Sequence, residues 1–114
     1  MTISPRTNTY RAVLFDLDGT LLDTLEDIAS SANRVLGSFG FPQHELEAYK
    51  YFVGEGREAL VMRILPSGHR DAATVAKVVA CIDSDYGQHW ADATHPYDGI
   101  PELLQGLTAR GIKM

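Results

Sequence analysis

The sequence lacks the features that mark several large classes of protein. Cysteine occurs once, at Cys81, so no internal disulfide can form, which agrees with a reducing compartment. The ten lysines and arginines form no cluster and are outnumbered by fifteen acids, which gives a net charge of -5. Because a nucleic-acid partner requires concentrated positive charge, we expect none.

Long apolar runs are also missing. The longest one near the start, Ala12 to Phe15, is too short to cross a bilayer or to form the core of a secretory signal. We therefore expect a soluble, cytoplasmic protein with no membrane partner. A chain of 114 residues that is 45% hydrophobic is sufficient for one globular domain, and this composition argues against disorder.

The spacing of apolar residues predicts one short strand followed by helices. Ala12–Phe15 is typical of a parallel strand buried on both faces. From Leu25 to Phe39 the apolar residues recur at helical spacing, and Thr24 with Asp27 fits a capping box at the start of this helix. Further helices are predicted over residues 45–52, 57–65, 71–90 and 100–110, with a second extended segment beginning at residue 112.

This element order predicts an α/β protein with a helical insertion. Parallel strands need a crossover connection, so the helix over 100–110 and the segment from residue 112 onward are expected to complete a β-α-β unit. The helices between them would form a cap. The expected division is residues 1–22 for the first strand and acidic loop, 23–95 for the helical cap and 96–114 for the return to the core, with residues 1–9 as a polar leader.

The chemistry is concentrated in Asp16-Leu17-Asp18-Gly19-Thr20, directly after the predicted strand. In an extended backbone, residues two apart point the same way, so the carboxylates of Asp16 and Asp18 share one site. Two such carboxylates require a cation or a proton, and hard oxygen ligands suit Mg²⁺. A carboxylate can attack phosphorus while a second carboxyl transfers a proton. Gly19 permits a sharp turn, after which the Thr20 hydroxyl could meet phosphate oxygens.

The motif D-L-D-G-T-L-L-D-T, which directly follows the predicted strand A-V-L-F, resembles the first signature of the haloacid dehalogenase superfamily of phosphohydrolases. The helical insertion, the turn Val53–Gly56 and the segment Pro96–Ile100 are similar to its phosphoglycolate phosphatase-like branch. The resemblance implies a Rossmann-like core with Asp16 as nucleophile and Asp18 as general acid/base. It also implies Mg²⁺ held by the Asp16 carboxylate and the Asp18 backbone carbonyl, and an acid at position 18 favours phosphate over halide substrates.

Members of this superfamily complete the site with a Ser or Thr, a Lys and further acids beyond the second strand. A chain ending at Met114 has none of these, so we expect an incomplete core that resembles the N-terminal part of the enzyme and is inactive alone. Its single full strand would leave apolar faces and edges uncovered, which makes a homodimer plausible.

Other residues allow a functional and a plain structural interpretation. In capped members the turn with Gly54 and Gly56 faces the phosphate site, so both are candidate substrate contacts, or they form a simple turn. Arg57 is a candidate anion ligand or a surface charge. The polar residues at the start of the long first helix are interpreted as caps, with Asp23 and Glu26 an alternative to the Thr24 pair. The histidines lack the spacing of a helical zinc pair, and Lys50 and Arg63 have no assigned role.

The leading interpretation is a Mg²⁺-dependent phosphomonoester hydrolase acting on a small phosphorylated metabolite, with the cap closing over it to exclude water. A phosphosugar mutase of the same superfamily is an alternative, because it uses the same two carboxylates. A non-catalytic fragment or binding module is another.

Overall fold

Five helices and two very short strands make up the part of the chain that the computed structural model describes, residues 10–114. The leader predicted for residues 1–9 lies outside this range. In chain order the elements are β1 (Leu22–Asp23), α1 (Leu25–Ser38), α2 (Leu46–Phe52), α3 (Arg57–Ile64), α4 (Ala72–His89), β2 (His95–Pro96) and α5 (Ile100–Ala109). The predicted helices are confirmed, with ends that differ by at most one residue. None of these helices is long and apolar enough to span a membrane.

The apolar core lies among α1, α2, α3 and α4. These helices present their apolar stripes to one another, because each stripe can leave water only against another element. Within residues 10–114, all of the buried apolar side chains belong to this bundle or to the residue that follows α3, and α5 contributes none. They are Ala29, Ala32, Val35, Leu36, Tyr49, Leu60, Val61, Ile64, Leu65, Val75, Val78 and Ile82.

Polar contacts join the same helices. The guanidinium of Arg34 in α1 binds the carboxylate of Asp85 in α4, at 2.6 Å between Nη2 and Oδ1. The buried hydroxyl of Tyr49 donates to Asn33 Oδ1 at 2.6 Å, and the Asn33 amide donates to the carbonyl of His44 at 2.8 Å. A buried hydroxyl needs such a partner, so Asn33 fixes the position of α2 against α1. Burial raises the pKa of Tyr49.

The predicted first strand pairs in the expected direction but is not buried. The Val13 N–H donates to the carbonyl of Lys113 at 2.8 Å, and the Lys113 N–H donates to the carbonyl of Arg11 at 3.0 Å, which is a parallel pairing. Leu14 is nevertheless 97% exposed, so the prediction of burial on both faces is wrong. Val13 and Phe15 on the other face are half-buried, so the described chain covers one face only in part, and a single bridge is too short to count as a strand.

The segment that leaves the acidic loop and the segment that returns from the bundle lie side by side. β1 and β2 pair antiparallel, with Leu22 opposite Pro96 and Asp23 opposite His95. A two-stranded ribbon of this length is marginal by itself, so its position depends on contacts with the helices. The ribbon marks the place where the helical bundle is connected to the rest of the chain.

Removal of a buried core side chain tests this packing. Leu36→Ala is expected to lower the free energy of unfolding by about 2–5 kcal/mol, because it leaves a cavity at a fully buried position. Leu14→Ala is the matched control and should change it by less than about 0.5 kcal/mol. Urea unfolding followed by circular dichroism measures both. A large loss for Leu14→Ala would mean that something covers Leu14 in solution.

Candidate active site

A cavity of about 820 Å³ lies between the acidic loop and the helical bundle. A volume of this size is typical of sites for small molecules. Its walls come from the loop after the predicted strand, from β1 and the start of α1, from α2 and the turn after it, and from α3, α4 and the residue after β2. The lining residues are Asp16, Asp18, Gly19, Asp23, Thr24, Leu25, Ile28, Lys50, Val53, Gly54, Gly56, Arg57, Leu60, Tyr86 and Tyr97.

The two predicted carboxylates line the same cavity. Asp16 and Asp18 are both exposed, and they share the cavity although Leu17 lies between them. Just after them, Gly19 has φ +76°, a conformation that only glycine adopts freely. Its N–H donates to the carbonyl of Leu22 at 2.9 Å, and the Leu22 N–H donates back to the carbonyl of Leu17 at 3.0 Å. The loop therefore turns sharply and leaves both carboxylates facing open space.

Asp23 adds a third carboxylate to this wall, although its place before α1 predicts only a helix cap. It lies in β1, and its Oδ2 is 4.0 Å from Nε2 of His95 in the paired strand. The ribbon places Asp23 at the cavity. Its position at the end of the acidic motif was the one sequence signal that could have identified it.

Asp27 is not a helix cap, and this part of the prediction is wrong. Thr24 makes no side-chain capping bond. Instead, the buried carboxylate of Asp27 accepts hydrogen bonds from the backbone N–H groups of Ala93 and Thr94, at 2.6 to 3.0 Å. The capping box fails because these amides, just before β2, occupy the carboxylate. Asp27 therefore holds the return segment against the start of α1.

The same contacts determine the charge of Asp27. Burial by itself would raise the pKa of this carboxyl, but the hydrogen bonds from Ala93 and Thr94 and the nearby charge of Arg34 outweigh it, so the pKa is lowered. The group is therefore ionised at neutral pH. An ionised carboxylate makes stronger hydrogen bonds to backbone N–H groups than a neutral acid does.

The bundle side of the cavity carries two cations. Lys50 in α2 is exposed and lies 2.8 Å from Glu47 of the same helix. Arg57, the first residue of α3, donates from Nε to Oδ1 of Asp83 at 2.8 Å, and its Cζ lies 5.2 Å from the ring centroid of Tyr86. Lys50 and Tyr86 were not predicted as site residues, because only the packing of the helices brings them to the cavity.

The turn before Arg57 contains two glycines whose backbone has positive φ. Gly54 and Gly56 both line the cavity, with φ of +112° and +93°. A residue with a Cβ would be strained at either position. The turn therefore brings the backbone to the cavity and starts α3 with Arg57 at its edge, so these three predicted residues share a cavity with the acidic pair.

Electrostatic effects cross the cavity. Burial raises the pKa of Tyr86, the negative charge of Asp18 raises it further, and Arg57 opposes both. The pKa of Lys50 is raised chiefly by its contact with Glu47, and Asp23 contributes to it. The cavity is thus lined by carboxylates from the loop and β1 and by two cations from the bundle, so it offers charges of both signs to a ligand.

Some candidate residues lie elsewhere. Thr20 is exposed and does not line the cavity, so a contact between its side chain and phosphate stays a prediction. Arg63 binds Glu55, at 2.9 Å, and the carbonyl of Phe52. The four histidines also lie outside the lining residues, and His44 instead packs edge-on against Phe52.

The donor chemistry of the acidic wall fits Mg²⁺, which prefers carboxylate and carbonyl oxygens. Asp16 and Asp18 supply such oxygens at the cavity. Within residues 10–114, however, no three His, Cys, Asp or Glu side chains lie close enough together to hold a metal ion by themselves. The residues present would therefore form part of a magnesium site, with further ligands supplied by other groups or by water.

Known proteins resemble this chain in sequence and in fold. The model of the haloacid dehalogenase-like hydrolase family matches residues 13–114. The chain belongs to this family. A phosphoglycolate phosphatase of Thiobacillus denitrificans is 38% identical over 108 residues, covering 91% of this chain and 47% of the relative. One of Pseudomonas putida is 36% identical over 108 residues, covering 91% and 39%.

The fold of this chain also has a solved counterpart. A predicted phosphoglycolate phosphatase from Haemophilus somnus superposes with a TM-score of 0.81 at 25% identity, covering 90% of this chain and 48% of that one. The fold class expected from the sequence, an incomplete Rossmann-like parallel α/β core with an inserted helical cap, is thereby confirmed. The chain spans less than half the length of these relatives.

The role of Asp27 can be tested through stability. Asp27→Asn is expected to lower the free energy of unfolding at neutral pH by about 2 kcal/mol, because it removes charge-assisted hydrogen bonds. Since the pKa of Asp27 is lowered in the folded protein, its stabilisation is complete above the ordinary carboxyl pKa of about 3.9. That stabilisation is lost as the pH falls through the lowered value.

Urea unfolding at a series of pH values measures the free energy of unfolding of the unmodified chain and of Asp27→Asn. The difference between these two values should become smaller in acid. Glu26→Gln, an exposed change in the same turn of α1, is the matched control and should have little effect. An equal loss in both variants would show that the buried contacts of Asp27 carry no special weight.

Proposed function

We propose that this chain supplies the nucleophile, the general acid/base and the cap of a Mg²⁺-dependent phosphomonoester hydrolase. The observation that supports this most directly is that Asp16 and Asp18 line one cavity together with Gly54, Gly56 and Arg57 of the bundle. A ligand in this cavity would touch the carboxylates and the cap at the same time. Family membership supports the reaction class.

The proposed reaction has two steps. A carboxylate oxygen of Asp16 attacks phosphorus, the bond from phosphorus to the ester oxygen breaks, and Asp18 gives its proton to the departing alkoxide. Asp18 then takes a proton from water, whose oxygen attacks the aspartyl phosphate and releases inorganic phosphate and the Asp16 carboxylate. The exposure of both side chains to the cavity suits this exchange of ester and water.

Magnesium, when bound, would shield the negative charges of the phosphoryl group and of the nucleophile from each other. In this chain the Asp16 carboxylate and the Asp18 backbone carbonyl are the proposed ligands.

The proposed substrate is a small phosphorylated metabolite, as the names of the relatives suggest. The cavity is large enough for such a molecule. Phosphoglycolate is the first candidate. Two further proposals, a cytoplasmic location and a homodimer formed through the exposed apolar residues around Leu14, rest on composition and exposure.

Two alternatives have specific tests. A phosphosugar mutase would use the same carboxylates, but it would turn over a sugar phosphate only when a bisphosphate primer is added. A non-catalytic binding module would bind phosphate esters without forming an acyl phosphate, even when the remaining core motifs are provided.

A fusion with the C-terminal half of a relative tests the proposed hydrolase activity. Residues 1–114 joined to the C-terminal half of the Thiobacillus denitrificans enzyme should release phosphate from phosphoglycolate in the presence of Mg²⁺. Asp16→Asn in this fusion should lower kcat by at least about a thousandfold, because it removes the nucleophile. Asp85→Asn is the control, because Asp85 pairs with Arg34 and does not line the cavity. Normal turnover in the Asp16→Asn fusion would contradict the proposal.

The isolated chain should have negligible phosphatase activity, because the groups that neutralise the phosphoryl transition state come from later motifs of the superfamily. A colorimetric phosphate assay with a generic aryl phosphate and Mg²⁺ measures it. Steady metal-dependent hydrolysis that Asp16→Asn abolishes would prove this expectation wrong, while leaving Asp16 as the nucleophile.

A further inference from the structure

Arg57 is held in place by residues of another helix. Asp83 in α4 accepts the hydrogen bond from its Nε at 2.8 Å, and Tyr86, one turn further along the same face of α4, lies under its guanidinium at 5.2 Å. Arg57 and Tyr86 line the cavity, whereas Asp83 does not. A carboxylate outside the cavity therefore fixes the orientation of a cation inside it.

The geometry leaves the rest of the guanidinium available. Among the described residues, Asp83 is the hydrogen-bond acceptor of Arg57 and uses Nε, so the two Nη groups remain for a ligand. A guanidinium presents its donors in a planar fork that matches a carboxylate or a phosphate, and less entropy is lost when the fork is already ordered. Only 27% of the Arg57 side chain is exposed, compared with 57% for Lys50.

The position of Arg57 decides which end of a ligand it meets. Asp16 and Asp18 line the cavity from the acidic loop, whereas Arg57 lines it from the bundle, and the proposed reaction places the phosphoryl group at the loop. A ligand that spans the cavity would therefore bring its alcohol portion toward Arg57. A negative charge on that portion would be attracted by Arg57, and an apolar group there would gain nothing from it.

We propose that Asp83 is a positioning residue, which holds Arg57 against Tyr86 and thereby makes the cap select phosphomonoesters that carry a second negative group. The inference rests on the proposed function of the cavity and deepens it. It assigns a role to a carboxylate that touches neither the substrate nor the reacting atoms.

Binding of two matched probes to the full 114-residue chain tests the inference. The probes are 2-phosphoglycolate and ethyl phosphate, which differ by one carboxylate, titrated in the presence of Mg²⁺ and followed by NMR. The unmodified chain should prefer 2-phosphoglycolate. Asp83→Ala should reduce the ratio of the two dissociation constants by about threefold or more, the scale expected when a fixed ion pair is lost. Arg57→Ala should abolish the preference.

Two variants separate positioning from a general structural effect. Asp85→Ala removes the other carboxylate of α4 that binds an arginine, and it should leave the ratio unchanged. Asp83→Glu should restore most of the preference. The Nε–H signal of Arg57 gives a direct readout, because the hydrogen bond to Asp83 should slow its exchange with water, and Asp83→Ala should remove that protection.

Three results would overturn the inference. The first is that the ratio of the two dissociation constants is the same in the unmodified chain and in Asp83→Ala. The others are that the unmodified chain does not prefer either probe, or that Asp85→Ala reduces the preference as much as Asp83→Ala does. Failure of the proposed function would give a different result. In that case the fusion protein would not hydrolyse phosphoglycolate, and this holds for any outcome of the binding experiments.

Discussion

The position of the cavity depends on one buried carboxylate. Asp27, in the first turn of α1, binds the backbone amides of Ala93 and Thr94, which lie 66 and 67 residues further along the chain. These amides directly precede β2, so the contact determines where the chain returns beside β1. Tyr97, whose N–H donates to the carbonyl of Leu21 at 3.2 Å, reaches the cavity wall through the same return. Without this contact, a two-stranded ribbon alone would have to keep the bundle over the acidic loop.

The charges at the cavity are arranged by elements of different kinds. The acids belong to a tight loop and a short strand, where the backbone itself sets their direction. The cations belong to helices, and their order depends on side-chain contacts. Lys50 is held by an exposed partner in its own helix, which is a weak restraint, whereas Arg57 has a carboxylate and an aromatic ring from a second helix. The two cations are therefore not equivalent.

Local patterns explain what could be predicted from the sequence. The apolar spacing of Leu25 to Phe39 identified α1 because a helix depends on residues three and four apart, and the alternation of Asp16 and Asp18 placed both in one cavity. Asp27 was misinterpreted because an acid in the first turn of a helix is typical of a cap, and its true partners are distant in the sequence. Tyr86 and Lys50 reach the cavity only through helix packing, which spacing does not reveal. The apolar run at Leu14 indicates a buried strand, but burial needs covering elements that the described residues do not supply.

The ribbon of β1 and β2 has a consequence for how such a protein could be varied. Leu22 stands opposite Pro96 in the pairing, so the whole helical bundle enters and leaves through two adjacent points. An insertion whose ends meet can be lengthened, shortened or exchanged without stretching the chain on either side of it. Under the proposed function, the acidic loop could therefore keep its chemistry while a different bundle is joined at the same two positions, which would separate the evolution of specificity from that of the reaction.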